Sequence, residues 1–506
     1  MFHPSNFWSS WSPTYFQDLV AQHLTPGGLI LIPYFDTLEP LFELYQADGK
    51  VIAANLNQLP LLWAKAKSTQ VDHATLNRSF IQLGDMVKGG QSLRSALTQL
   101  YQTQCPNCHE VVSAHYFIWN RTLADPQQKK IICPNCVFDD LVPVTDTDLA
   151  RLDQIETRGV HYHFLFGRVA GPNLAAEDRL RSKLETWHDL YTPRNIYVLA
   201  ELIMKLEASN LDRSIQTVFK AILLSCLLQA SNLYGQNPAD DLPKRLKIPI
   251  QSVEHNVWHL FETAIAAWPT QARSIRFSSR MQDMLEMRQN SLYLFPDRAE
   301  RLKRYLPNES LSLVITAPPM LNTHRWALTT LWAGWLLGLK AAEANYTFLQ
   351  RRASDWPSYQ KILFQAFYLL RPALKPDAPW HVILHPEHRL QPLTIIIAAL
   401  RADYDVDAWE INTSHQTLTF LINVDERPTV RDLPELTNLI QAEIRDVVKA
   451  QEKLKDNETE LDHLHWVSWQ SLLYSGLLAQ AVASLSEKRV VSWLSQQTTL
   501  IIEGHG

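Results

Sequence analysis

The sequence predicts an α/β protein in which a parallel sheet is interrupted by a cysteine-rich ribbon and by a mainly helical segment. Two short aliphatic runs within residues 29–56 flank a helical pattern, which is the βαβ spacing of a parallel sheet. Two identical Cys-Pro-Asn-Cys tetrapeptides begin at Cys105 and Cys133. A further β-branched run ends abruptly on Pro318 and Pro319, as a strand does when it reaches a loop at the edge of a sheet.

Composition places the chain among globular proteins with several domains. It has 506 residues, of which 46% are hydrophobic and 20% charged, and this length suggests roughly two to four domains. The formal charge of -5 excludes a grossly basic nucleic-acid coat but allows a local basic groove. The longest apolar runs fall short of the about 20 residues that span a bilayer. Because the amino terminus also lacks a signal-peptide pattern, we expect a cytoplasmic protein with no membrane partner.

Residues 1–70 are expected to form the first half of the sheet. Leu29–Pro33 and Val51–Leu56 are continuous aliphatic runs and are predicted to be buried strands. Glu39–Tyr45 is predicted to be the helix that connects them. Residues 61–104 have helical periodicity and are expected to lead out of the sheet.

Residues 100–150 are predicted to form a zinc ribbon. Two Cys-Pro-Asn-Cys knuckles bring four thiolates into a tetrahedron around a zinc ion. Because four thiolates leave no open coordination position, the zinc is expected to be structural. The alternatives are two unrelated turns or a redox pair, but a redox motif has no need to occur twice. The predicted ligands are Cys105, Cys108, Cys133 and Cys136.

The hairpin between the knuckles mixes aromatic and basic side chains. These residues are His115, Tyr116, Trp119, Arg121, Lys129 and Lys130. Such a mixture can contact nucleic acid, and it is also how a small ribbon covers its own hairpin. Both interpretations remain open at the level of sequence.

The remaining chain divides into three predicted regions. Residues 151–290 are expected to form a mainly helical insertion, and residues 291–427 the second half of the sheet. Residues 428–506 are expected to form a helical C-terminal region that packs on the core, with a partner-binding surface as the alternative. The strands predicted for the second half of the sheet are Ser291–Leu294, Leu313–Thr316, His381–Leu384, Ala408–Ile411 and Thr417–Val424.

The order of motifs resembles the class I, S-adenosylmethionine-dependent DNA amino-methyltransferases that carry an internal zinc ribbon. The segment PGGLILIPYFDTLEP, from Pro26, follows the family pattern PGDLVLDPFCGSGTTLLEAL. Leu190–Arg194 resembles the family's LFTPRQ motif, Asn256–Glu262 its NVWELFE-like motif, and Leu374–Asp377 its LKPGG turn. The resemblance covers roughly residues 10–425 and implies a Rossmann-like methyltransferase sheet of seven strands, with the cofactor half first.

The positions that the resemblance assigns to the cofactor have changed. They are Pro33, Asp36, Leu38 and Asn55. Asp36 and Leu38 restore side chains where the family has glycines, which allow a positive φ and close approach of the cofactor. Asn55 replaces the acid that bonds to the ribose hydroxyls. Together these changes argue against binding of S-adenosylmethionine.

The catalytic tetrad that the resemblance implies has changed as well. The family reads V-I-T-[DSN]-P-P-Y, and the corresponding residues here are Ala317, Pro318, Pro319 and Met320. Ala317 has no side-chain acceptor for a target amine, and Met320 has no aromatic face to stack on a flipped base. Both sites are altered, so we expect the methyltransferase activity to have been lost.

The sequence therefore predicts a catalytically inactive, methyltransferase-like protein. We expect a DNA-binding or scaffolding subunit that acts with a protein partner in a DNA-modification or defence-type complex. The candidate phosphate contacts are Arg194, Arg273, Arg276 and Arg280, for which simple solvation is the alternative. Two other functions are an active DNA adenine or cytosine amino-methyltransferase with an unusual site, and a protein-binding scaffold that does not contact DNA.

Overall fold

The protein folds into two compact units. The ribbon unit comprises the described residues of Asn57–Ser274 and Asn322–Arg351, and the sheet unit those of Trp11–Leu56, Ile275–Leu321 and Arg352–Gly506. The computed structural model describes residues 19, 22–23, 27–35, 39–155, 159–170, 174–183, 187–233, 246–269, 275–286, 290–318, 323–349, 355–384, 388–411, 416–423, 431–452 and 461–503.

The strands are β1 (Leu29–Pro33), β2 (Lys50–Ala54), β3 (Val87–Lys88), β4 (Gln91–Ser92), β5 (Gln102–Gln104), β6 (Val111–Ser113), β7 (Tyr116–Asn120), β8 (Asp125–Ile132), β9 (Asp139–Pro143), β10 (Gln251–His255), β11 (Ser291–Phe295), β12 (Leu311–Thr316), β13 (Trp380–Leu384), β14 (Tyr404–Ile411) and β15 (Gln416–Ile422).

The α-helices are α1 (Glu39–Gln46), α2 (Gln58–Lys67), α3 (His73–Gly84), α4 (Leu93–Thr98), α5 (Asp146–Asp153), α6 (Val160–Gly167), α7 (Leu174–Lys183), α8 (Pro193–Ala208), α9 (Arg213–Gln229), α10 (Val257–Ala266), α11 (Met281–Glu286), α12 (Thr323–Leu337), α13 (Leu339–Leu349), α14 (Trp356–Leu370), α15 (Leu390–Arg401), α16 (Leu433–Glu452), α17 (Leu461–Tyr474), α18 (Leu477–Ser484) and α19 (Val490–Glu503).

The sheet unit is built on a seven-stranded sheet in the order β11-β2-β1-β12-β13-β15-β14. Strands β11, β2, β1, β12 and β13 pair in parallel, whereas β15 runs antiparallel to both of its neighbours. Every residue of β1 and β13 is buried, as expected for strands covered on both faces. The prediction of a mixed α/β protein with a seven-stranded, mostly parallel sheet is confirmed.

The C-terminal helices share the core of the sheet unit. Trp469 of α17 and Leu494 of α19 are completely buried, in the same cluster as Ile396 of α15 and Phe420 of β15. Burial of this kind removes a large apolar area from water and stabilises the unit. The helices thus pack on the core, as the first of the two interpretations predicted.

The ribbon unit combines small antiparallel sheets with buried helices. Its main sheet has the order β10-β7-β8-β9, and β5 pairs with β6. Strand β10 lies in the segment predicted to be mainly helical, and it adds to the hairpin by pairing with β7. Within residues 61–104, Gly89 and Gly90 adopt positive φ angles and turn β3 into β4, so this stretch is not wholly helical.

No helix in the described ranges combines the length and the apolar character needed to cross a membrane.

Candidate functional site

Four cysteines converge at the tip of the ribbon. The β5–β6 hairpin carries one Cys-Pro-Asn-Cys knuckle and the β8–β9 hairpin the other. The Sγ atoms of Cys105 and Cys136 are 3.7 Å apart, and those of Cys108 and Cys133 are 3.5 Å apart. All four lie within 4.8 Å of one another. A tetrahedral ion with bonds of about 2.3 Å separates its sulfurs by roughly 3.8 Å, so the cluster has the dimensions of a four-thiolate metal site.

Backbone hydrogen bonds shape both knuckles. The amide of Cys105 donates to the Glu110 carbonyl at 2.9 Å, and the amide of Cys133 donates to the Phe138 carbonyl at the same distance. Hydrogen bonds from the Asn107 side chain and from the backbone at Phe138 lower the pKa of Cys136 to about 6. The pKa of Cys108 in the same cluster is raised to about 12, so the metal-site assignment depends on the distances among the four sulfurs and not on these shifts.

The basic side chains of the hairpin are paired with carboxylates. Lys129 Nζ lies 2.5 Å from Asp148 Oδ2 and 2.7 Å from Thr103 Oγ1, and both charged groups are buried. Lys130 Nζ lies 2.6 Å from Asp139 Oδ1. These contacts hold β8 against β5, β9 and α5. For Lys129 and Lys130, these contacts favour the interpretation in which the hairpin covers itself.

The four arginines proposed for phosphate contact have different environments. Arg194 is 1% exposed, its guanidinium lies 4.2 Å from the centre of the Phe117 ring, and its Nε is 3.7 Å from Glu254 Oε1. A phosphate on the protein surface therefore does not reach it. Arg276 and Arg280 are exposed in the sheet unit, and Arg273 lies outside the described residues.

The described residues among those predicted for a cofactor and for catalysis lie at one edge of the sheet. Strand order reverses at β1, which lies between β2 and β12, and the carboxyl ends of strands at such a point form the usual ligand crevice of α/β sheets. Pro33 ends β1, Asn55 follows β2, and Ala317 and Pro318 follow β12. The described part of the predicted site is thus brought together. Asp36, Leu38, Pro319 and Met320 lie outside the described residues.

The loop after β1 is bonded to its neighbours at this edge. The Asn55 side chain donates to the carbonyl of Phe35, and Thr316 Oγ1 donates to the Pro33 carbonyl at 2.5 Å. Tyr34 has a φ of 63°, the left-handed conformation that favours glycine, and Phe35 has no exposed surface. The Asn55 amide therefore binds the protein's own backbone, and the Phe35 ring is buried beside it.

Sequence reasoning missed a polar pair beside this loop. Among the described residues, neither the Tyr34 hydroxyl nor Glu300 Oε2 has a hydrogen-bond partner. Burial, followed by the charge of Glu300, raises the pKa of Tyr34 well above its usual value, and burial raises that of Glu300. Glu300 belongs to the charged run AERLKR, and nothing in that run marks it as buried.

Replacing Lys129 tests the buried ion pair of the ribbon. Lys129→Met leaves the buried Asp148 carboxylate without its closest cation, and Arg151 Nη1 remains 3.9 Å from Oδ1. The loss should lower the free energy of unfolding by about 3 kcal/mol. Urea denaturation followed by circular dichroism measures the change. Lys130→Met, the same substitution at a pair whose carboxylate is exposed, is the matched control and should have little effect. If both variants lost the same free energy of unfolding, Lys129 and Asp148 would not be a buried ion pair.

The pH dependence of stability tests the burial of Glu300. Its pKa is raised in the folded state, so its contribution to stability is present below the unfolded pKa and is lost as pH rises through the folded pKa. Glu300→Gln should therefore raise the melting temperature at pH 7, by an amount that shrinks as the pH approaches 4. Thermal melts across this range measure it, with the exposed Glu286→Gln as control. A variant no more stable than the parent at pH 7 would sink this prediction.

Comparison with family models, curated proteins and solved structures found no match. A functional assignment therefore depends on the geometry of two places: the four-cysteine cluster and the edge of the sheet at which β1 lies between β2 and β12. Both places were singled out by motifs in the sequence, and the second holds a loop bound by its own neighbours.

Proposed function

We propose that this protein is a catalytically inactive, DNA methyltransferase-like subunit that binds DNA or serves as a scaffold in a DNA-modification or defence-type complex. The observation that carries the proposal is the crevice at the end of β1. There Asn55 binds the Phe35 carbonyl and Ala317 stands where a hydrogen-bond acceptor would be needed.

The architecture supports the methyltransferase-like part of the proposal. The resemblance implies a Rossmann-like sheet of seven strands with antiparallel closing strands, and a zinc ribbon and helical insertion between its halves. The sheet has seven strands with β15 antiparallel to its neighbours. The cysteine cluster and helices α6 to α10 occur in the chain between β2 and β11.

The chemistry of the crevice supports the loss of activity. Methyl transfer to an exocyclic amine requires the amine lone pair to be aimed at the methyl group, and orientation of this kind can supply about 7–11 kcal/mol of a barrier. Ala317 is buried and has no polar side-chain atom, so it cannot orient an amine. Phe35 is buried where the backbone of a glycine-rich loop would approach a cofactor.

The surface charges of the sheet unit support contact with a phosphate backbone. Arg276 and Arg280 are exposed, and so are Lys303 and Arg304 in the segment after β11. Guanidinium and ammonium groups supply most of the affinity of non-specific DNA binding. Arg194 is not part of this surface because it is buried in the ribbon unit.

Calorimetric titration with S-adenosylmethionine tests the loss of the cofactor site. We expect no binding, because the Asn55 amide is bound to the loop and Phe35 is buried beside it. Asn55→Asp restores the carboxylate at the ribose position and should still not bind. A dissociation constant in the low micromolar range for the parent protein would contradict the proposal and favour an active enzyme.

A gel-shift salt series with duplex DNA separates DNA binding from pure scaffolding. If two phosphate contacts are made, the double variant Arg276→Gln/Arg280→Gln should reduce the slope of log affinity against log salt by about 2. The double variant Arg78→Gln/Arg445→Gln changes exposed arginines elsewhere and should keep the parent slope. If the parent protein does not shift the DNA even at low salt, only the function of a scaffold without DNA contact remains.

The four-cysteine cluster is proposed to hold one structural zinc ion. Elemental analysis of protein purified under reducing conditions should find about one equivalent of zinc per chain. Cys136→Ser removes one ligand and should abolish this stoichiometry. Cys226→Ala, at the buried cysteine of α9, should retain it. A parent protein without zinc would show that the cluster is not a zinc site.

A further inference from the structure

We propose that a pocket in the ribbon unit binds a nucleotide, that is, a planar base joined to a sugar that carries a phosphate. The cavity has a volume of about 790 Å³, within the range of sites for small molecules. The site does not include the cysteine cluster, and the inference does not rest on the proposed function. The residues that carry the argument are Trp119, Arg121, Tyr162, Tyr191, Asn232 and Ser252.

Aromatic rings form the walls of the pocket. Trp119, Tyr162 and Tyr191 all line it. Tyr162 is stacked on Phe166, with ring centres 5.6 Å apart and an interplanar angle of 23°. Flat rings held in this way are the surfaces on which bases stack, irrespective of which base is present. Aromatic residues on the lining thus offer a surface on which a planar ring system can stack.

A buried carboxylate holds two of the wall residues in place. Trp119 Nε1 donates to Glu254 Oε2 at 2.5 Å, and Thr192 Oγ1 donates to the other oxygen of the same group. Glu254 is completely buried, and its charge is opposed by Arg194 at 3.7 Å. A second layer of hydrogen bonds that locks the lining residues is typical of a preorganised binding site. It also gives the buried Arg194–Glu254 pair a role.

The floor of the pocket offers hydrogen bonds to a base. Asn232 Nδ2 donates to the Asp189 carbonyl at 2.9 Å, and its Oδ1 accepts a hydrogen bond from Ser252 Oγ at 3.3 Å. These described contacts use one of the two amide hydrogens and one of the two oxygen lone pairs. Asn232 can therefore both donate to and accept from the edge of a bound base.

The mouth of the pocket carries an arginine and an aspartate. The Arg121 side chain is 45% exposed, and its Nη2 lies 3.6 Å from Asp189 Oδ2. The planar guanidinium matches a phosphate in two-point geometry. A carboxylate alone would repel an anion, but Asp189 beside this arginine can accept hydrogen bonds from sugar hydroxyls. The mouth thus suits the sugar and phosphate of a ligand whose base lies deeper.

Calorimetric titration of the full chain with AMP and UMP tests the site. We expect one mononucleotide per chain, with affinity reduced about tenfold in Arg121→Gln through loss of the phosphate contact. Tyr162→Ala should weaken binding by a similar factor of about ten through loss of stacking. Arg78→Gln, at an exposed arginine of α3 in the same unit, should bind as the parent does.

Two further titrations define the ligand. Adenosine should bind more weakly than AMP, because it lacks the phosphate. A six-residue single-stranded oligonucleotide that binds more tightly than UMP would identify a nucleotide within a strand as the ligand, and equal or weaker binding would identify the free nucleotide. Absence of heat with mononucleotides and oligonucleotide alike would overturn the proposal. So would parent-like binding by Arg121→Gln and Tyr162→Ala, or equal binding of adenosine and AMP.

Discussion

The parallel pairing of β1 with β2 on one side and β12 on the other is the constraint on which the sheet unit depends. The first pairing joins neighbours in the chain, whereas the second joins segments separated by the whole ribbon and helical region. Closing so long a connection costs only slightly more entropy than closing a shorter one, so the inserted unit is tolerated. The result is an edge at which loops from both halves of the sequence meet.

At that edge, side-chain hydrogen bonds join the end of β1 and the residues after it to the neighbouring strands. Thr316 donates to the carbonyl of Pro33 at the end of β1, and Asn55 donates to that of Phe35, which follows the strand and is buried. Buried carbonyls need partners, and here the protein provides them itself. The contacts of this crevice within the protein are the basis of our proposal that the methyltransferase-like fold has no catalytic activity.

In the ribbon unit, buried charges have the organising role. Lys129 with Asp148 links strands of the hairpin to α5, and Arg194 with Glu254 links α8 to β10. Such pairs contribute little net stability, but removal of one partner is costly because the other remains unpaired in a medium of low dielectric constant. These ion pairs therefore determine which helices and strands lie together. Glu254 also accepts hydrogen bonds from Trp119 and Thr192, which line the pocket.

The sequence by itself determined the local features. Continuous aliphatic runs predicted the strands of the sheet, and the repeated Cys-Pro-Asn-Cys knuckles predicted the convergence of Cys105, Cys108, Cys133 and Cys136. Both signals are carried by residues that are neighbours in the chain.

The tertiary structure decided the rest. Strand β10 was missed because Gln251–His255 has no strand-like pattern and pairs with a hairpin that is distant in the chain. The burial of Arg194, the hydrogen bond from Asn55 to Phe35 and the burial of Glu300 Oε2 were likewise decided by the tertiary structure. Each depends on a partner far away in the chain, and neither charge nor residue type reveals whether such a partner is present.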